Sequence, residues 1–202
     1  MSTYLSIDID FWKKHCDYTH LRNFLELAKG ASPNIVIVDS HEQLKDHVNR
    51  SGCTNLINVD YHSDIYDVKT PRWGRDSENP FEKKYNCGTW VNFVKFRYRG
   101  NFTWIHPHIH DRGIQYGYCH VETRRNFMTV NPFFNPKIAE WNNSFKIATK
   151  NPEANINWND IGAVGIAFSY AWLKEGVNDK IVHVARSVLG ARPKVNPNAI
   201  LY

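Results

Sequence analysis

Two apolar runs in the chain end in ionisable residues at alternate positions, Ser6-Ile7-Asp8-Ile9-Asp10 and Asn58-Val59-Asp60-Tyr61-His62-Ser63-Asp64. Side chains two residues apart on an extended strand point to the same side, so each run lines up two or three such groups where a strand ends. A buried strand does not carry bare aspartates, because an ionised carboxylate taken out of water is strongly destabilising or takes up a proton. The fold has to bring those strand ends to a common place and provide a counter-charge there.

The remaining pattern describes such a place. Residues 4–9 read as a strand. Leu21, Phe24, Leu25 and Ala28 fall at helical spacing within 19–30, with Gly30 as the helix stop. The β-branched run at 34–38 is a second strand, and Ser40 with Gln43 matches a capping box opening a helix that Gly52 ends. A third strand runs into Asp60. Residues 66–86, rich in Pro, Gly and charge, form a loop of the length that serves as a lid or binding surface. Residues 89–99 fit a helix closed by Gly100, and 102–105 a fourth strand leading to His106. Residues 111–160 carry no firm pattern beyond a helix around 136–149. The run 161–170 is a buried strand, and 177–191 an amphipathic helix with Val177, Ile181, Val184 and Val188 on one face. Strands alternating with helices imply a mostly parallel sheet covered on both faces, a three-layer α/β sandwich. At 202 residues it is expected to form a single domain, 1–202.

Open parallel sheets bind ligands beyond the carboxyl ends of their strands, so the two acidic clusters are expected to converge. Asp8, Asp10, Asp60 and Asp64 together carry four negative charges, which two divalent cations balance. Oxygen and imidazole donors without thiolate suit Mn²⁺ better than structural zinc. His62 belongs to the set by its spacing. His41, just past the strand at 34–38, is the second imidazole expected from the ten histidines; the plainer alternative places it in the first turn of a helix.

These residues carry a family resemblance. The D-x-H-x-D of Asp60, His62 and Asp64, with the S-x-D-x-D of Ser6, Asp8 and Asp10, resembles the paired metal-binding signatures of the arginase-like ureohydrolases. The wider context VDSHEQL, LINVDYHSDI, NCGTWVNFV, TWIHP and GIAFSYAW resembles the peptide arginases of ribosomal-peptide biosynthesis, which convert arginine side chains of a precursor peptide to ornithine. The resemblance implies an arginase/deacetylase-like fold and two Mn²⁺ per chain, with Asp60 and Asp8 bridging. His62 and Asp10 would complete one ion, and His41 and Asp64 the other. Asp64 would also hold the attacking hydroxide, which makes it the catalytic residue. The motif order departs from that of ordinary arginases: S-x-D-x-D comes first here, as if the chain were permuted.

Phe11, Trp12, Tyr61 and Trp90 could wall a guanidinium pocket or simply pack the core. Glu175 is the candidate carboxylate for the guanidinium, against an ordinary solvated glutamate. No Asn/Ser/Thr-rich loop of the kind that grips free arginine is evident, which favours an arginine-containing peptide as substrate. The net charge of +5 suits an acidic leader segment. Aromatic and basic residues interleave at 89–99, but helical amphipathicity explains this more cheaply than nucleic-acid binding. Cys16, Cys53, Cys87 and Cys119 form no C-x-x-C pair, and no apolar stretch approaches the roughly 20 residues of a membrane span. Reduced cysteines and a cytoplasmic location are expected. The alternatives are a metal-dependent deacylase of acyl-lysine or polyamines, a free-arginine or agmatine ureohydrolase, and a non-catalytic basic module for peptide or nucleic acid.

Overall fold

The computed structural model describes residues 2–13, 17–62, 64, 90–107, 121–122, 141–170 and 178–190. Strand β1 (Thr3–Asp8) is buried along its whole length, and the sheet extends from it in both directions. A 3₁₀ turn (Ile9–Trp12) follows, then α1 (Tyr18–Ala31) and β2 (Ile35–Val38). A second 3₁₀ turn (His41–Leu44) runs into α2 (Lys45–Arg50), which leads to β3 (Asn55–Val59). Strands β4 (Asn101–Pro107), β5 (Val121–Glu122), β6 (Asn143–Thr149) and β7 (Ile161–Ala167) complete the sheet, and α3 (Asn178–Leu189) follows.

The seven strands lie in the order β2-β7-β1-β3-β4-β6-β5, and every pair is parallel except β5 with β6. Alternation along the strands divides the core into two layers. Leu5, Ile7, Val164 and Ile166 face Leu21, Phe24 and Leu25 of α1 and Ile181 and Ala185 of α3. Tyr4, Leu56, Phe102 and Ala163 face Leu44, Val48 of α2 and Trp90. The result is a mostly parallel sheet with helices on both faces, the three-layer α/β sandwich expected. Among the described residues no helix is long and apolar enough to cross a membrane.

The topology fixes where a ligand belongs. From β1 the chain crosses to β2 on one side of the sheet, while from β3 it moves to β4 on the other. The carboxyl ends of these two neighbouring strands therefore open onto the switch point of the sheet, where α/β folds bind ligands. Their register pairs Ser6 with Asn58 and Ile7 with Val59, so the next step brings Asp8 beside Asp60.

Local structure departs from expectation in four places. Helix α1 passes through Gly30 and ends at Ala31, because its packing face carries it one residue further. The capping box at Ser40 is not made: the Ser40 hydroxyl donates to the Glu42 carboxylate instead. Residues 90–98 form two 3₁₀ turns, Trp90–Phe93 and Lys95–Tyr98, separated by an extended Val94, as suits a stretch crowded with β-branched and aromatic side chains. Residues 143–149 are a strand and not part of a helix, since pairing with β4 from Asn101↔Asn143 to Pro107↔Thr149 outweighs local preference. The loop at 66–86, the rest of the 136–149 segment, Cys16, Cys87, Cys119 and Glu175 lie outside the described residues.

The layer that carries His41 sits hard against the sheet at Gly165. A Cβ there would lie 2.7 Å from Leu44 Cδ2 and on the Tyr4 hydroxyl, which is itself bonded to His47 Nδ1 at 2.7 Å. Gly165→Ala is expected to destabilise the protein by about 1–3 kcal/mol through overpacking, read as a lower denaturant midpoint at constant slope. An unchanged midpoint would show that this layer yields freely.

Candidate metal centre

Asp8 ends β1, but Asp10 lies in the 3₁₀ turn beyond it and is not on the same strand face. The Asp8 carboxylate accepts the Asp10 N–H at 3.0 Å, and this cap bends the chain so that the two side chains serve different neighbours. The same device recurs after β3, where Asp60 Oδ1 accepts the His62 N–H at 2.8 Å. Asp64 adopts φ +54°, in the left-handed region, and its Oδ2 accepts the Trp90 indole N–H at 2.6 Å. Asp10 and His62 thus join Asp8 and Asp60 because side chains cap the turns that follow the strands, not because strands run on.

The four carboxylates and two imidazoles form two groups. In the first, His41 Nδ1 lies 2.8 Å from Asp64 Oδ2, 3.1 Å from Asp60 Oδ2 and 3.3 Å from Asp8 Oδ2. No described group is aligned to hydrogen-bond this buried nitrogen, although three carboxylate oxygens crowd it. His41 Nε2 is engaged by Ser6 Oγ at 2.6 Å. In the second group, His62 Nδ1 lies 3.3 Å from Asp10 Oδ2 and 3.9 Å from Asp60 Oδ1. Asp60 belongs to both sets of atoms close enough to share an ion, whereas Asp8 belongs to the His41 set alone. His62 is the only one of the six that reaches solvent appreciably, at 26% side-chain exposure.

Electrostatics follow from this crowding. Burial, with the charges of Asp10 and Asp60, pushes the Asp8 carboxyl up to about 6. Burial, with Asp64 and Asp10, pushes Asp60 up to about 8. Burial also works against charge on the two imidazoles, but the carboxylates outweigh it. Asp64, Asp60 and Asp8 hold His41 well above its ordinary value, and Asp10 and Asp60 raise His62 to about 9. Asp10 goes the other way: burial opposes its ionisation, yet contact with His62 and Lys13 holds it well below the usual carboxylate range. The cluster thus favours positive charge near its carboxylates, and a divalent cation binding there would compete with protons.

The donor set fits such a cation. A buried nitrogen with its hydrogen-bonding capacity unused points into three carboxylate oxygens, and the donor atoms of His41, Asp8 and Asp60 lie close enough together to share a small hard cation, with Asp64 beside His41. For Nδ1 to present its lone pair, Nε2 carries the proton and donates it to Ser6, the partner that fixes ring orientation in metal sites.

The aromatic candidates divide. Trp90 is fully buried, holds Asp64 and lies 5.0 Å from the His41 ring, so it serves the centre as a support. Tyr61 donates its N–H to Asp10 at 3.3 Å and packs against His62. Trp12 turns away into the layer under α1, against Phe11 and Phe24, with its indole on His20. Glu175 lies outside the described residues. Sequence reasoning missed three supports: Asn58, whose amide reaches Asp60; Lys13, 3.0 Å from Asp10; and Ser169, whose hydroxyl donates to Asp8. Asn58 and Lys13 lie within three residues of a ligand, and that proximity was the available signal. Ser169 gave none, being brought in only by pairing of β7 with β1 and a left-handed φ of +45°.

Comparison with protein-family models, with curated proteins and with solved structures finds no match.

The pH dependence of stability tests these assignments. Asp60 and His62 both bind protons more tightly folded than unfolded, so each favours the folded state at low pH. Asp60 loses its contribution as pH rises from about 4 to about 8, and His62 as it rises from 6.5 to about 9. Chelator-treated protein is expected to melt at progressively lower temperature from pH 6 to 9, and Mn²⁺ to raise the melting temperature most at the alkaline end. A melting temperature insensitive to both pH and Mn²⁺ would contradict the assignment.

Proposed function

We propose that the protein is a binuclear metal-dependent hydrolase of arginase-like fold that converts arginine side chains of a peptide to ornithine and urea. The observation that carries the proposal is His41 Nδ1, buried and without a hydrogen bond, facing Asp8, Asp60 and Asp64, while Asp60 is shared with a second group made by Asp10 and His62. Asp8, Asp60, Asp64 and His41 would hold one ion, and Asp10, Asp60 and His62 the other. The choice of arginine rests on the resemblance of the two motifs to those of ureohydrolases, and the choice of a peptide on the basic character of the chain and the lack of an evident loop for the free amino acid.

Two Mn²⁺ ions bound at such a centre supply the Lewis acidity that makes water a nucleophile at neutral pH. The chain's own groups do the rest. Ser6 orients His41 through Nε2, and Trp90 orients Asp64 through its indole N–H. Burial of Asp8, Asp10, Asp60 and Asp64 keeps bulk water from screening them. A cationic guanidinium would approach from the side of His62, whose edge is exposed. Addition of water to the guanidinium carbon and cleavage of its bond to the side-chain nitrogen give urea and the ornithine amine.

Purified protein supplied with Mn²⁺ is expected to release urea from arginine-containing peptides, with the loss of one cyanamide unit in mass per arginine converted. Free arginine, agmatine and acetyl-lysine peptides serve as comparators. Asp64→Asn is expected to lower the rate by a factor of about 100 or more. Acetate from acetyl-lysine peptides, without urea from any guanidine, would assign the centre to a deacylase; no product from any of them would overturn the hydrolase proposal.

A further inference from the structure

The two halves of the centre are not equivalent, and the difference lies in one side chain. Lys13 follows the 3₁₀ turn after β1, its N–H bonded back to the Asp10 carbonyl at 3.0 Å. Its ammonium reaches Asp10 Oδ2 at 3.0 Å, the oxygen that also faces His62 Nδ1, and lies 3.8 Å from the centre of the Tyr61 ring. Among the described residues no lysine or arginine pairs with Asp8, Asp60 or Asp64. The cationic side chain therefore stands at the Asp10–His62 group and not at the His41 group.

Charge counting makes the asymmetry consequential. Four carboxylates with one ammonium leave three negative charges, so a first divalent cation leaves one negative charge and a second makes the cluster positive. The second cation also has to take an oxygen that the ammonium already holds, at the group whose imidazole is partly exposed. The first meets the buried donors of His41, Asp8 and Asp60, which no described lysine pairs with.

We propose, on the basis of the binuclear reading above, that Lys13 is a built-in competitor for the second cation: the His41 group fills first and tightly, and the Asp10–His62 group fills weakly, with the ammonium leaving Asp10 while it keeps its place on the Tyr61 ring face. Lys13 is a positioning residue for the metal centre. It makes the fully loaded state depend on cation concentration, so that the protein holds one ion at low supply and two only at high supply.

Titration of Mn²⁺ into metal-stripped full-length protein tests this, with calorimetry reading the affinities and electron paramagnetic resonance reading when a spin-coupled pair forms. Wild type is expected to show a tight step and a separate weak step, with the coupled signal arising only in the weak one. Lys13→Met, which keeps most of the apolar stem and removes the charge, is expected to tighten the second step by a factor of about 10 or more and leave the first unmoved. Lys13→Arg, which keeps the charge, is expected to retain a weak second step, and circular dichroism checks that each variant is folded. Two indistinguishable steps in wild type, or a second step unmoved in Lys13→Met, would overturn the role of Lys13 while leaving the binuclear centre standing. No Mn²⁺ bound by any of the three proteins would overturn both.

Discussion

The repulsion among four buried carboxylates at the ends of β1 and β3 is the constraint on which the rest of this structure turns. Asp8, Asp10, Asp60 and Asp64 are each no more than 3% exposed, and they sit where the chain leaves neighbouring strands β1 and β3 in opposite directions. Left alone, such a cluster opposes folding. Burial together with this repulsion raises Asp8 and Asp60, and the same carboxylates raise both histidines by attraction. A fold that kept this cluster merely for stability would do better with apolar residues of the same volume, which is why the cluster points to a bound cation.

The surrounding residues are arranged to hold that cluster still. Tyr4 and Gly165 set the α2 layer close to the sheet, which places the turn carrying His41 over β1. Ser6, on the same strand face as Tyr4 and Asp8, takes the far nitrogen of His41. Ser169, Asn58 and Trp90 each donate to a different carboxylate: Asp8, Asp60 and Asp64. Every carboxylate of the cluster thus has at least one neutral or cationic donor that restricts its orientation, the arrangement expected where ligand geometry has to be preset.

Much of this was legible in the sequence, and for definable reasons. Alternating strand and helix patterns gave β1, α1, β2, β3, β4, β7 and α3, because each carries its own apolar periodicity. The spacing of Asp8, Asp10, Asp60, His62 and Asp64 singled out the cluster. Their convergence has another origin than strand alternation: the strands stop at Asp8 and Val59, and capped turns bring Asp10 and His62 inward, while Asp64 comes in on a left-handed turn. Strand β6 was hidden because its partner, β4, lies some forty residues away in sequence, and pairing across that distance leaves no local mark. Trp12 was misplaced toward the site for the related reason that an aromatic beside a ligand can face either layer, and only the packing of Phe24 decides it. The balance of four negative charges by two cations also omitted Lys13, whose approach to Asp10 depends on the turn.

The central claim is that His41 Nδ1 and the oxygens around it are donors to a metal ion. An anomalous difference map from crystals grown with Mn²⁺ addresses it directly. A peak within about 2.0–2.3 Å of His41 Nδ1, shared with oxygens of Asp8, Asp60 and Asp64, is the result expected. A map empty at that position, with His41 hydrogen-bonded to a protonated carboxyl, would contradict it.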